Sequence, residues 1–180
     1  MGTIFIAGSY GVGKSTLCSA LSKALTIPAY SAGDLISNVN GEQYGANKAV
    51  KDKEANQDLL AMEIKKKLEQ YPTILLAGHF CIFNKLNCVE ELPHSVFEKI
   101  SIERILLLEA DPEQILANLS VRDKKKYENQ QIERLIREER RVAEEISQKC
   151  NRNLHIHHMT FDASDLKKCY DLLSSEVQAV

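Results

Sequence analysis

Short apolar runs alternate along this chain with longer stretches in which apolar positions recur every three or four residues. Thr3–Ala7, Ile27–Ser31, Thr73–Ala77, Arg104–Leu108 and Leu154–His158 read as strands. Between them the helical period predicts helices over Lys14–Leu25, from Asp34 to a stop at Asn40-Gly41, from about residue 54 to residue 70, over Pro93–Lys99 and over Ile132–Lys149. In the third of these, Leu60, Ile64 and Leu68 stand four apart on one face. Asp111-Pro112-Glu113-Gln114 is a helix start, with a capping side chain and then proline, and that helix runs to about Val121. Ser164 is read as the cap of a last helix reaching about Val177. Residues 41–53 are polar and turn-rich, 78–92 form a less regular connection, and 123–131 are charged and polar. Thr73–Ala77 is nearly all apolar, as a strand covered on both sides must be. Strands alternating with helices predict an α/β fold in three layers, a five-stranded parallel sheet with helices on both faces, in one domain over residues 1–180.

Composition narrows this picture without changing it. At 180 residues and 44% hydrophobic, the chain is long enough for a well-buried core. It shows no apolar run of membrane-spanning length, and it enters its first strand without a secretion signal, so a cytoplasmic location is expected. A net charge of −2 argues against broad coating of nucleic acid. The five cysteines (Cys18, Cys81, Cys88, Cys150 and Cys169) are scattered, with no C-x-x-C pair, and read as reduced thiols.

The chemistry lies at the strand ends, where parallel sheets place their ligands. Gly8-Ser9-Tyr10-Gly11-Val12-Gly13-Lys14-Ser15 matches G-x-x-x-x-G-K-[ST] and sits between a strand and a helix, the setting that makes the pattern a phosphate site. Glycines let backbone N–H groups approach phosphate oxygens, and the helix start behind them, through Thr16, adds unpaired donors and a positive dipole end. Lys14 is expected to reach the β- and γ-phosphates of ATP, and the Ser15 hydroxyl to ligate Mg²⁺. The fold expected is therefore the P-loop NTPase fold.

Three further segments, Ser31-Ala32-Gly33-Asp34-Leu35-Ile36, Gly78-His79-Phe80 and Leu107–Glu113, follow the loop in an order and spacing that resemble the nucleoside monophosphate kinase group, nearest to adenylate kinase-like proteins of the archaeal type. The resemblance implies transfer of the γ-phosphoryl group of ATP to a nucleotide-like acceptor, with Gly33, Asp34 and His79 facing that acceptor. It also implies a lid after the fourth strand, here 122–131, with Arg122 and Arg141 neutralising charge on the migrating group. On the residues alone, Asp34 either faces the acceptor or caps its helix, and His79 either orients acceptor or water or ends a strand.

Two positions depart from the family pattern. Ser37 stands where an arginine usually grips the monophosphate, leaving Lys48, Lys51 and Lys53 as substitutes. Ala77 stands near an expected aspartate, and Glu109 is a candidate to take its place near the metal. Other readings are an ATPase, a kinase of another small molecule or a nucleic-acid end, and a non-catalytic nucleotide-binding regulator. Arg134, Arg137 and Arg141 lie opposite the apolar stripe of the long helix, and Glu133, Glu138 and Glu139 beside them read as solvated ion-pair partners. His155 and His157 share a strand face with no third metal ligand in view, which favours a structural role.

Overall fold

The computed structural model describes residues 2–40, 53–123 and 127–174. Lys48 and Lys51, and part of the expected lid, fall outside them. The strands β1 (Gly2–Gly8), β2 (Ala29–Ser31), β3 (Thr73–Ala77), β6 (Ile102–Glu109) and β7 (Asn153–His158) form one parallel sheet in the order β2-β3-β1-β6-β7. The helices α1 (Lys14–Leu25), α2 (Ala32–Asn40), α3 (Lys53–Gln70), α4 (His94–Lys99), α5 (Pro112–Arg122), α6 (Asn129–Cys150) and α7 (Ala163–Ser174) cover it. The three-layer α/β architecture is the one that the apolar runs predict.

Two cores, one on each face, explain those runs. Strand side chains alternate between faces. Phe5, Ile74, Leu76, Ile105 and Leu107 therefore pack with Leu60 and Ile64 of α3, Phe97 of α4 and Val142 and Ile146 of α6. Their neighbours Ile4, Ile6, Leu75, Leu106 and Leu108 pack with Leu17 and Leu21 of α1, Ile115 and Leu119 of α5 and Leu173 of α7. Each such side chain contributes about 1.5–3 kcal/mol by leaving water. The Phe5 ring meets Phe80 edge-on at 5.1 Å and Phe97 at 5.7 Å. A side chain at Gly78 would collide with it, since a Cβ there would lie 2.6 Å from a ring carbon. That glycine lets β3 end directly beside β1.

The structure corrects several boundaries. Residues 78–92 contain an antiparallel hairpin, β4 (Cys81–Phe83) with β5 (Val89–Glu91), in place of an irregular connection. Helix α2 starts at Ala32, and its first-turn Asp34 N–H donates to Ser31 Oγ at 3.3 Å, so Ser31 and not Asp34 is the cap. Helix α6 starts at Asn129, three residues before Ile132, because Glu128 and Gln131 form a reciprocal capping box. At α7 the Ser164 N–H donates to the Asp162 carboxylate at 2.7 Å, which makes Asp162 the capping group. No helix among the described residues is long and apolar enough to cross a membrane.

Candidate active site

The connection from β1 to α1 wraps back on itself, with Gly11 at φ 76° and Gly13 at φ 92°. L-residues avoid that region, and at Gly11 a Cβ would also stand 2.9 Å from Leu119 Cγ and 3.1 Å from the Ile115 carbonyl oxygen. Helix α5 thus forms the floor of the loop, and Asn118 Nδ2 fixes it by donating to the Gly11 carbonyl at 2.9 Å. Val12 is buried among α1 and α5 side chains and anchors the tip.

Lys14 turns back into the loop and donates to the carbonyls of Gly8 (2.9 Å) and Ser9 (2.8 Å). Burial brings its ammonium down to about 7, opposed by the Glu139 carboxylate and helped by the charge of Arg122. Ser9 Oγ is buried without a hydrogen-bond partner among the described residues. A buried hydroxyl without a partner, a lysine resting on carbonyls and a turn of positive-φ glycines suit a phosphate group that supplies the missing acceptors. Ser15 and Thr16 are exposed on the first turn of α1. Ser15 borders an open recess of about 220 Å³ with Ser19, Tyr30, Ser31 and Ala77.

Beside the loop, the Tyr10 ring lies 4.4 Å from His79 and stacks on Phe83 of β4 at 5.8 Å. Phe83 in turn lies 6.0 Å from Tyr127, which precedes α6. His79, just past the end of β3, has Nδ1 at 3.3 Å from Glu139 Oε1. Burial and Lys14 hold the imidazole below its ordinary value, while Glu139 and the Gly8 backbone oppose that shift. Glu139 is buried, so reading it as a solvated surface acid is wrong. It follows Leu135 by four residues and precedes Val142 by three, all on the inward stripe of α6, and that spacing is the signal that marks it.

The residues expected on the acceptor side fall at the carboxyl end of the sheet. Gly33 and Asp34 open α2, with Asp34 exposed. Ser37 donates to the Gly33 carbonyl at 2.8 Å, which commits its hydroxyl to the helix. Ala77 lines the recess. Glu109 is not available to replace an acid at Ala77, because the Arg140 guanidinium grips it through both oxygens, with Nε–Oε1 at 2.7 Å. Arg140 is absent from the sequence-based candidates.

Arg122 pairs with Asp123 through Nε at 2.7 Å and Nη2 at 2.9 Å, and Asp123 also accepts from the Tyr127 hydroxyl at 2.9 Å. Its charge reaches Lys14. Arg141 lies elsewhere, held by Glu138 (2.8 Å), Glu145 (2.5 Å) and Glu91 of β5. That guanidinium also fills the Glu91–His94–Glu145 group, the set of metal-type ligands that converges among the described residues. His157 is taken by Asp165 at 2.8 Å, a structural contact. Burial pushes the Cys18 thiol up to about 11 and Cys169 up to about 12, which leaves both inert.

The fold recurs in solved structures. Shikimate kinase from Bacteroides thetaiotaomicron superposes with a TM-score of 0.63 at 14% identity, covering 98% of each chain. Shikimate kinase from Aquifex aeolicus gives 0.61 at 18% identity, again over 98% of each. A sugar kinase from Janibacter sp. gives 0.61 at 12%, over 97% of this chain and 95% of that one. No curated protein matches the sequence. These likenesses place the chain in the P-loop kinase fold without selecting adenylate kinases within it. The family model described as an AAA domain matches residues 7–137, from the end of β1 into α6, and the chain belongs to that family.

Proposed function

We propose that this protein is a Mg²⁺-dependent kinase that moves the γ-phosphoryl group of ATP to a small hydroxyl-bearing acceptor. The observation that carries the reading is Lys14, half-buried in the glycine turn on two carbonyls that it can leave for phosphate oxygens. In this role the loop N–H groups and Lys14 orient the triphosphate, and Arg122 exchanges Asp123 for the migrating group. Ser15 is the residue to hold Mg²⁺, which neutralises phosphate charge when bound. Gly33, Asp34 and His79 face the acceptor. Arg141 can contribute only by leaving three carboxylates, so Arg122 is the stronger candidate.

The acceptor class follows from what surrounds the recess. Ser15, Ser19, Tyr30 and Ser31 line it with hydroxyls; past Ser31, on α2, Asp34 is acidic and exposed and Ser37 gives no cationic grip. Hydroxyls and a carboxylate recognise a polyol better than a second phosphate. The shikimate and sugar kinases that share the fold support the same class. A nucleoside monophosphate is the second reading, supported by the resemblance of Ser31–Ile36 and by Lys48 and Lys51.

The test incubates the protein with γ-labelled ATP, Mg²⁺ and separate panels of polyols, hydroxy acids and nucleoside monophosphates. A labelled polyol or hydroxy acid is the expected product. Label in a nucleoside diphosphate supports the second reading, free phosphate alone an ATPase, and binding without turnover a regulator. Lys14→Ala should lower kcat/KM for ATP about 100-fold or more, the usual loss for one transition-state donor.

A further inference from the structure

Glu139 is 1% exposed, and a buried carboxylate needs compensation. It accepts the Phe80 N–H on both oxygens, at 3.1 and 3.2 Å, and the Cys81 N–H at 3.2 Å. Among the described residues its ion-pair partner is His79, through Nδ1. A carboxylate at Nδ1 draws the ring proton to that nitrogen and leaves the lone pair on Nε2. His79 keeps 22% of its side chain exposed, at the carboxyl end of β3 beside the phosphate loop. The groups facing its ring are Glu139 from α6, Lys14 from α1, and Tyr10 and the Gly8 backbone from the loop.

We propose that His79 is the catalytic base of the transfer step and that Glu139 is the residue that positions it, by fixing the ring's tautomer from beneath. The pair supplies from α6 the acid–base function that Ala77 cannot supply from β3. The proposal rests on the kinase reading above. In the step, the acceptor hydroxyl gives its proton to His79 Nε2 as its oxygen bonds to the γ-phosphorus. The bond from that phosphorus to the β,γ-bridging oxygen breaks, and ADP leaves with that electron pair. Glu139 and the Gly8 carbonyl stabilise the imidazolium until it releases the proton to solvent.

Two measurements test this on the full chain. Nitrogen-15 imidazole spectra should show His79 protonated at Nδ1, with that preference lost in Glu139→Gln. Transfer to the acceptor, followed against pH, should lose activity on an acid limb as His79 takes up its proton. Glu139→Gln should lower kcat about 10–100-fold, with KM for ATP within about twofold. It should also move the acid limb to lower pH, because the carboxylate is a group that favours the charged ring. His79→Gln should lower kcat about 100-fold or more and abolish the limb, and adding Glu139→Gln to it should cost little more.

A ring protonated at Nε2, or a Glu139→Gln enzyme that melts earlier but keeps kcat and its acid limb, overturns the proposal. Absence of transfer to any acceptor removes the kinase reading, and the base role with it. The tautomer measurement still decides separately whether Glu139 orients the ring.

Discussion

Two buried carboxylates flank the phosphate loop, each holding a histidine, and they are built on different scales. Asp165 of α7 accepts from His157 Nε2 at 2.8 Å, from the Thr160 N–H and hydroxyl at 3.0 Å each, and from the Phe161 N–H at 2.7 Å. All four donors come from the strand and turn immediately before its own helix. Met159 and Phe161 of that turn are the side chains nearest to Gly13, so Asp165 shapes one wall of the loop. Glu139 gathers its donors from 58 to 60 residues away, and the ring it holds faces Lys14. A carboxylate that folds its own neighbourhood secures a shape, whereas one that joins distant segments can tune a reacting group.

Removing each carboxylate outright gives the largest effect, and here the two should look alike. Asp165→Ala leaves two N–H groups and a buried histidine without their acceptor, and Glu139→Ala does the same to Phe80, Cys81 and His79. Each should cost about 3 kcal/mol, the scale for breaking one side of a buried pair. Urea unfolding checks this. A near-zero loss at either site would mean that water reaches the vacated donors, and the comparison would fail there.

The contrast in scale also explains what the sequence reveals. The phosphate loop is contiguous, so its glycines, Lys14 and Ser15 declare themselves in one pattern. The sheet is legible because strands buried on both faces must be apolar throughout, as Ile74-Leu75-Leu76 is. The hairpin of β4 and β5 escapes because three-residue strands such as Val89-Glu90-Glu91 show no period. Glu139 hides among Glu138, Glu144 and Glu145, and only its place between Leu135 and Val142 distinguishes it. Arg140 with Glu109 could not be foreseen, since that pair closes across 31 residues and depends on how α6 lies on the sheet. Asp165 was invisible for the opposite reason, because an acid in the first turn of a helix is ordinary.

Charge-neutralising variants separate the two sites. Burial works against the Asp165 charge, but the Thr160 and Phe161 groups and His157 outweigh it and hold the carboxyl below its ordinary value. Its stability contribution is therefore complete above about pH 4 and is lost as pH falls through the folded-state value. His79 is also held low, so the folded protein binds fewer protons than the unfolded chain just below about pH 6.5, and stability falls there as pH drops. Asp165→Asn should cost about 1–2 kcal/mol at neutral pH and flatten only the lower arm of a stability–pH curve. His79→Gln should remove only the upper arm, the slope just below about pH 6.5, leaving the rise through about pH 7 to 8 that Lys14, held at about 7, contributes. The two arms come from thermal melts between pH 3 and 8, and a single variant that flattened both would show the sites to be one unit.

The smallest effect comes from removing one hydroxyl. Thr160→Val keeps the shape of the side chain and the Thr160 N–H bond to Asp165 while removing the hydroxyl's bond to Asp165 at 3.0 Å and its long contact with the Ser164 hydroxyl at 3.4 Å. Thr160 is exposed, so neither a cavity nor a buried orphan is created, and the expected loss is about 0.5–1 kcal/mol by urea unfolding. Asp165 retains three donors, so the turn should keep its course past Gly13, and the affinity for Mg·ATP should stay within about twofold. At Glu139 the same trimming would have to remove His79 itself, because the Phe80 and Cys81 donors belong to the backbone. If Thr160→Val weakened nucleotide binding tenfold at unchanged stability, the Asp165 turn would be part of the nucleotide site, and the division between a carboxylate that shapes and one that tunes would have to be redrawn.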